Sequence, residues 1–123
     1  MMIYLKRVYD KVDIRDGTRI LIDRLWPRGV RRSTSNIDLW LKDVGPSDEL
    51  RKWFAHERDK WPEFRRKYEE ELRKNPVFEK LVDIALSTDP ITLLYAASDK
   101  DHNNGVVLYK MLVKRIERIK KAQ

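Results

Sequence analysis

Asp23-Arg24-Leu25-Trp26-Pro27-Arg28-Gly29 sets a carboxylate and two guanidinium groups around a proline turn, directly after the apolar run Ile20-Leu21-Ile22. Guanidinium groups are planar forks of N–H donors, and two of them on a rigid turn suit bidentate contact with phosphate or carboxylate. Pro27 fixes its own φ and confines Trp26 to extended backbone, so Arg28 is aimed by the turn. Neighbouring side chains on a strand face opposite ways, so Asp23 and Arg24 cannot pair with each other. Each needs its own partner, because an unpaired charge at the end of a buried strand is unfavourable. A structural reading competes with the anion site: the arginines tie the loop to helix acids and backbone carbonyls.

A second polar group, Ser98-Asp99-Lys100-Asp101-His102-Asn103-Asn104-Gly105, follows the apolar run "ITLLYAA" and precedes a helical pattern. Ligands of open α/β sheets sit beyond the carboxyl ends of strands, where helix N-termini offer unpaired N–H groups to anions. Asp99 suits an acid/base or a cap, and His102 suits proton relay or donation to an anion. Asn103 and Asn104 offer amide donors. If strands 18–25 and 91–97 are parallel neighbours, Arg24, Arg28, Asp99, His102 and Asn103 converge at one rim. The competing reading is a capping loop with a surface histidine.

Other candidates carry less. His56 lies beside the Trp53/Phe54 stripe as a boundary histidine. Asp99, Asp101, His102 and His56 lack any metal-ligand spacing. Walker, dinucleotide-binding and GxSxG signatures are absent, so no organic cofactor is implied. Lys110, Lys114, Arg118 and Lys121 share one face of the last helix, a stripe that fits a phosphate backbone or plain solvation.

The elements that position these residues follow from periodicity. "MIYLKRVY" (2–9) has β-propensity, and Lys6 and Arg7 mark it as an edge. "TRILIDRL" (18–25) and "ITLLYAA" (91–97) are continuously apolar, as strands covered on both faces are. "NIDLWLKDV" (36–44) reads as a short strand. Ser47 N-caps a helix whose apolar stripe is Leu50, Trp53, Phe54 and Trp61. Pro62 opens a second, with Phe64, Tyr68 and Leu72 at every fourth position. Pro76 opens a third helix, and the last spans about Asn103 to Lys120.

The chain has 123 residues and a net charge of +7. Its length fits one domain with a single core. Lys/Arg exceed Asp/Glu by ten to six over residues 1–45 and by seven to three over 90–123, whereas 46–89 carry ten against eleven. That asymmetry favours an anionic partner, a phosphate-bearing small molecule or nucleic acid. There is no cysteine, which excludes disulfides and thiol chemistry. No run of about 20 apolar residues occurs, and the start lacks a signal-peptide pattern, so the expectation is a cytoplasmic protein with no membrane association. Nothing in the sequence fixes an oligomeric state.

"RVYD", "GTRILIDRLWPRG", "PSDELRKWFAH", "WPEFRRKYEEEL" and "TLLYAASDKDHNNGVVL" resemble, in order, the bacterial and archaeal family called domain of unknown function 488, the YeaO-like proteins. The resemblance runs from about Arg7 to Leu112 and implies a compact cytoplasmic α/β domain without supplying an activity. More distant members look similar at the acid–arginine–proline turn and at the histidine loop, by analogy only. Gly105 stands where the family pattern has alanine.

The expectation is therefore a small single-domain α/β fold, with a mainly parallel sheet, flanking helices and a helical middle segment. Its crevice, lined by Asp23, Arg24, Arg28, Asn103 and Asn104, binds an anionic ligand. The alternatives are an enzyme using Asp99 and His102 for proton transfer, and a non-catalytic interaction domain whose motifs stabilise the fold.

Overall fold

The computed structural model describes residues 1–123. Four strands, β1 (Ile3–Arg7), β2 (Thr18–Leu21), β3 (Leu39–Trp40) and β4 (Ile91–Tyr95), form one sheet in the order β1-β4-β2-β3. All three pairings are parallel. Helices α1 (Asp48–Phe54), α2 (Trp61–Arg73) and α3 (Pro76–Ser87) separate β3 from β4, and α4 (Asn104–Lys121) follows β4.

Strand alternation divides the core. Ile20, Ile22, Ile91 and Leu93 face the helices and pack with Phe54, Phe64, Tyr68, Leu81, Leu108 and Leu112. Leu21 and Leu94 face the other way, where Val8, Trp26, Ile37 and Trp40 cover them. β4 is buried along its whole length, as its continuous apolar run requires. Its second face is covered by loops, including the arginine turn, and the helices share a single face. Toward the strand N-termini that face holds a buried ion network, in which Arg19 and Lys6 both bond Asp16.

The strands are shorter than periodicity predicts. Residues 36–44 supply only the Leu39–Trp40 pairing and then a 3-10 turn at Lys42–Val44. Trp61 does not continue the α1 stripe. α1 ends at Phe54 because Ala55 and His56 both adopt left-handed backbone, with φ of 46° and 58°, and Trp61 opens α2. Two consecutive non-glycine residues in that region are unfavourable and reverse the chain.

Candidate functional site

β2 and β4 are parallel neighbours, with Ile20 opposite Leu93 and Leu21 opposite Leu94, so the chain leaves both at one edge. A crevice of about 640 Å³ opens there. Asp23, Arg28, His56, Arg51, Lys52 and Asn104 supply most of its polar lining, and Leu25, Trp26, Pro27 and Phe54 contribute apolar wall. The stacked rings of Phe54 and Phe64, 4.2 Å between centroids, reach it from the core.

Asp23 and Arg24 find separate partners, as alternation demands. The Asp23 carboxylate accepts the Ala96 backbone N–H at 2.9 Å and the Asn104 side-chain amide at 2.9 Å. Both partners are neutral. Burial raises the Asp23 pKa above the ordinary carboxylate value, against the opposing pull of those two bonds and of the His56 charge. Arg24 turns away, donating through Nε to the Pro46 carbonyl at 2.8 Å and through Nη2 to the Gly45 carbonyl at 3.0 Å. Its third contact is Asp43 at 3.4 Å. Gly45 permits this closeness, because a Cβ there would lie 2.8 Å from the Arg24 backbone nitrogen. Arg24 borders the crevice, but its guanidinium clamps the connection into α1.

Arg28 behaves differently. The turn is fixed by the Trp26 indole N–H on the Val30 carbonyl at 2.6 Å and by the Tyr9 hydroxyl on the Arg28 carbonyl at 2.9 Å. The Arg28 side chain is exposed and engages no protein group. α1 brings two further cations to the same crevice. Lys52 is exposed and unpaired, and the buried Nε of Arg51 has no hydrogen-bond partner although Nη2 reaches Asp48 at 3.3 Å. Ser47 sets the start of α1, accepting from Leu50 and bonding Glu71.

The expected convergence is partial. Asn103 and Asn104 line the crevice, Asn103 also capping α4 through Val106. Asp99 and His102 do not line it. Asp99 accepts the amides of Asp101 and His102 in a closed turn, contacts the His102 ring at 3.1 Å and pairs with Arg58 at 3.0 Å. The Asp101 amide, followed by the His102 bonds and the Arg58 charge, holds the Asp99 carboxyl at about 2 despite partial desolvation. The His102 ring meets Trp61 edge-on at 5.3 Å. Gly105 lets α4 lie close to the sheet, since a Cβ would fall 2.9 Å from Asn103 Oδ1 and 3.0 Å from a Tyr95 ring carbon.

Periodicity missed Arg7, Arg51, Lys52 and Tyr9. Arg7 closes β1 by donating to the Ala97 carbonyl at 2.8 Å and the Ala96 carbonyl at 3.0 Å, fixing the loop that floors the crevice. The signal for it was the arginine ending a strand next to Tyr9, whose ring it covers at 4.9 Å. His56, read as a boundary residue, is exposed on the crevice wall.

A family model described as "Inactive DUF488-N3 subclade" matches residues 2–123. This chain belongs to that family. The DUF488 match agrees with individual relatives. Uncharacterized protein YeaO of Escherichia coli (strain K12) is 45% identical over 109 residues, 88% of this chain and 94% of the relative. Uncharacterized protein Rv3073c of Mycobacterium tuberculosis (strain ATCC 25618 / H37Rv) is 40% identical over 106 residues, 86% of this chain and 89% of the relative. No solved structure matches significantly. No helix of this DUF488 chain is long and apolar enough to cross a membrane.

Proposed function

We propose that the crevice binds a small phosphate-bearing ligand and does not transform it. The observation that carries this reading is the meeting of two unpaired cations, Arg28 and Lys52, beside Arg51 at the carboxyl ends of two adjacent parallel strands. Guanidinium and ammonium donors without protein partners are suited to phosphate oxygens, and strand carboxyl ends are where open α/β sheets take ligands. The "inactive" description of the matching subclade favours binding over catalysis. So does the position of Asp99 and His102, which are engaged with each other and with Arg58 outside the crevice. Proton transfer on a crevice ligand would need another group.

The test is titration calorimetry with ribose 5-phosphate against the wild-type chain and an Arg28→Ala/Lys52→Ala variant. Binding weakened about tenfold or more in the variant is expected, the scale of losing charge-assisted contacts. Phosphorus NMR of the same mixture should show the ester intact after prolonged incubation. No binding, or equal binding by both proteins, would refute the anion site. Release of inorganic phosphate would refute the absence of chemistry.

A further inference from the structure

We infer that the ligand carries, opposite its phosphate, a planar ring with two adjacent N–H donors, as on the Watson–Crick edge of guanine, and that Asp23 reads that pair. This rests on the crevice binding a phosphate-bearing ligand. The lining is mixed in charge: Arg28, Arg51 and Lys52 are cationic, Arg24 is engaged with the Pro46 and Gly45 carbonyls, and Asp23 is a carboxylate whose hydrogen-bond partners, Ala96 and Asn104, are neutral, with the exposed His56 on the same wall. A phosphate placed against Asp23 meets like charge, so the anionic end belongs with the cations and a donor-bearing end with Asp23.

The donor count follows from lone pairs. An ionised carboxylate has about four acceptor sites across its two oxygens. Asn104 occupies one on Oδ1 and Ala96 one on Oδ2, which leaves one on each oxygen. Two acceptors on a planar carboxylate match two parallel N–H groups, the same fork that makes bidentate pairs strong. Guanine offers such a pair from its ring N–H and its amino group. Adenine and cytosine set an acceptor beside the amino group, and uracil flanks its single N–H with carbonyls, so each opposes a lone pair to a carboxylate oxygen. Leu25, Trp26, Pro27 and Phe54 give the ring apolar surface, and about 640 Å³ lies within the range of small-molecule sites.

Titration calorimetry of the full chain with guanosine 5′-monophosphate, purine riboside 5′-monophosphate and ribose 5-phosphate tests the assignment. The purine riboside keeps the ring and phosphate but lacks both donors. Guanosine monophosphate should bind wild type about 10- to 100-fold more tightly than purine riboside monophosphate, the scale of hydrogen bonds to a charged group. Asp23→Asn should abolish that gap and leave ribose 5-phosphate binding as tight as in wild type or tighter. Equal binding of the two nucleotides by wild type, with ribose 5-phosphate also bound, overturns the base assignment alone. A gap that survives in Asp23→Asn overturns Asp23 as the reader. Failure of all three ligands to bind overturns the anion site itself. The ligand-side comparison uses only wild type, so it decides even if Asp23→Asn does not fold.

Discussion

Replacing Arg24 by alanine separates the two roles that the arginine turn combines. Arg24 donates at 2.8 and 3.0 Å to the carbonyls of Pro46 and Gly45, and its side chain is 26% exposed. Fully buried, hydrogen bonds to a charged group are each worth about 1.5–3 kcal/mol. Partial exposure lets water replace some of that, and the Asp43 contact at 3.4 Å adds little because Asp43 is largely in solvent. The expected loss is about 2 kcal/mol. With an unfolding entropy near 2.1 cal/mol/K per residue, a chain of this length loses about 4 °C of Tm per kcal/mol, hence about 8 °C here. Scanning calorimetry of Arg24→Ala beside Arg28→Ala is the assay. Arg28→Ala should stay within about 2 °C of wild type, because exposed side chains without partners contribute within about 0.5 kcal/mol. Ribose 5-phosphate binding should show the reverse order, weak in Arg28→Ala and near wild type in a folded Arg24→Ala. A small Tm change in Arg24→Ala accompanied by lost binding would refute the division and make Arg24 a ligand contact.

Three further outcomes follow from particular contacts. Tyr68 is fully buried and its hydroxyl donates to the Val44 carbonyl at 2.7 Å. Tyr68→Phe should lower the urea-unfolding free energy by about 1–2 kcal/mol through the orphaned carbonyl, and an unchanged midpoint would count against that bond. The Asp99 carboxyl lies at about 2, below its ordinary 3.8, so its contribution is complete above that ordinary value and fades as pH falls toward 2. Urea midpoints of wild type should therefore drop between pH 5 and pH 2.5 by more than those of Asp99→Asn, and parallel profiles would contradict the assignment. Gly105→Ala gains about 1 kcal/mol of helix propensity, but the added methyl crowds Asn103 Oδ1 at 2.9 Å and a Tyr95 ring carbon at 3.0 Å. Overpacking of this kind costs about 1–3 kcal/mol, so thermal unfolding should show a net loss, and a rise in Tm would mean that the Asn103 cap moves aside freely.

The sheet was legible because its two central strands are apolar without alternation, a pattern only a doubly covered strand needs. Ile20–Ile22 and Ile91–Leu94 sit side by side in the middle of the sheet, and the Lys6-Arg7 interruption marks the edge strand. What covers the second face was not legible. Trp26 and Ile37 do so from loops and Trp40 from the two-residue β3, none of them with a period to read. The end of α1 was hidden for a related reason. Leu50, Trp53, Phe54 and Trp61 fit one helical face, and nothing in the types Ala55 and His56 announces two left-handed residues.

At the site, local geometry decided which chemistry-bearing residues were free. Asp99 stands two and three residues before the amides it accepts, the spacing of an Asx turn, so the acid that resembled a catalyst is used in folding its own loop. His102 follows Asp99 into that turn. Arg51 and Lys52 carry no signal in the sequence, because the periodicity of α1 marks only its apolar stripe, while these two lie on the side of the helix turned to the crevice.

Strand alternation then divides the signature itself. Asp23 and Arg24 are adjacent in sequence, but one reaches across to β4 and α4 through Ala96 and Asn104 while the other reaches back to the β3–α1 connection. A turn that merely held the loop down would need Arg24 and would have no use for Arg28, whose guanidinium touches no protein group. The Asp23 carboxylate holds Ala96 and Asn104 in place, and it also disfavours an anion lying directly against it in the crevice that Arg28 borders. Under the proposed reading, Asp23 and Arg28 in one crevice suit a polarised occupant, a donor facing Asp23 and an anion facing Arg28, while Asp23 also ties the end of β2 to Ala96 and Asn104. Arg24 anchors the first part of the turn to the Gly45 and Pro46 carbonyls at the start of α1.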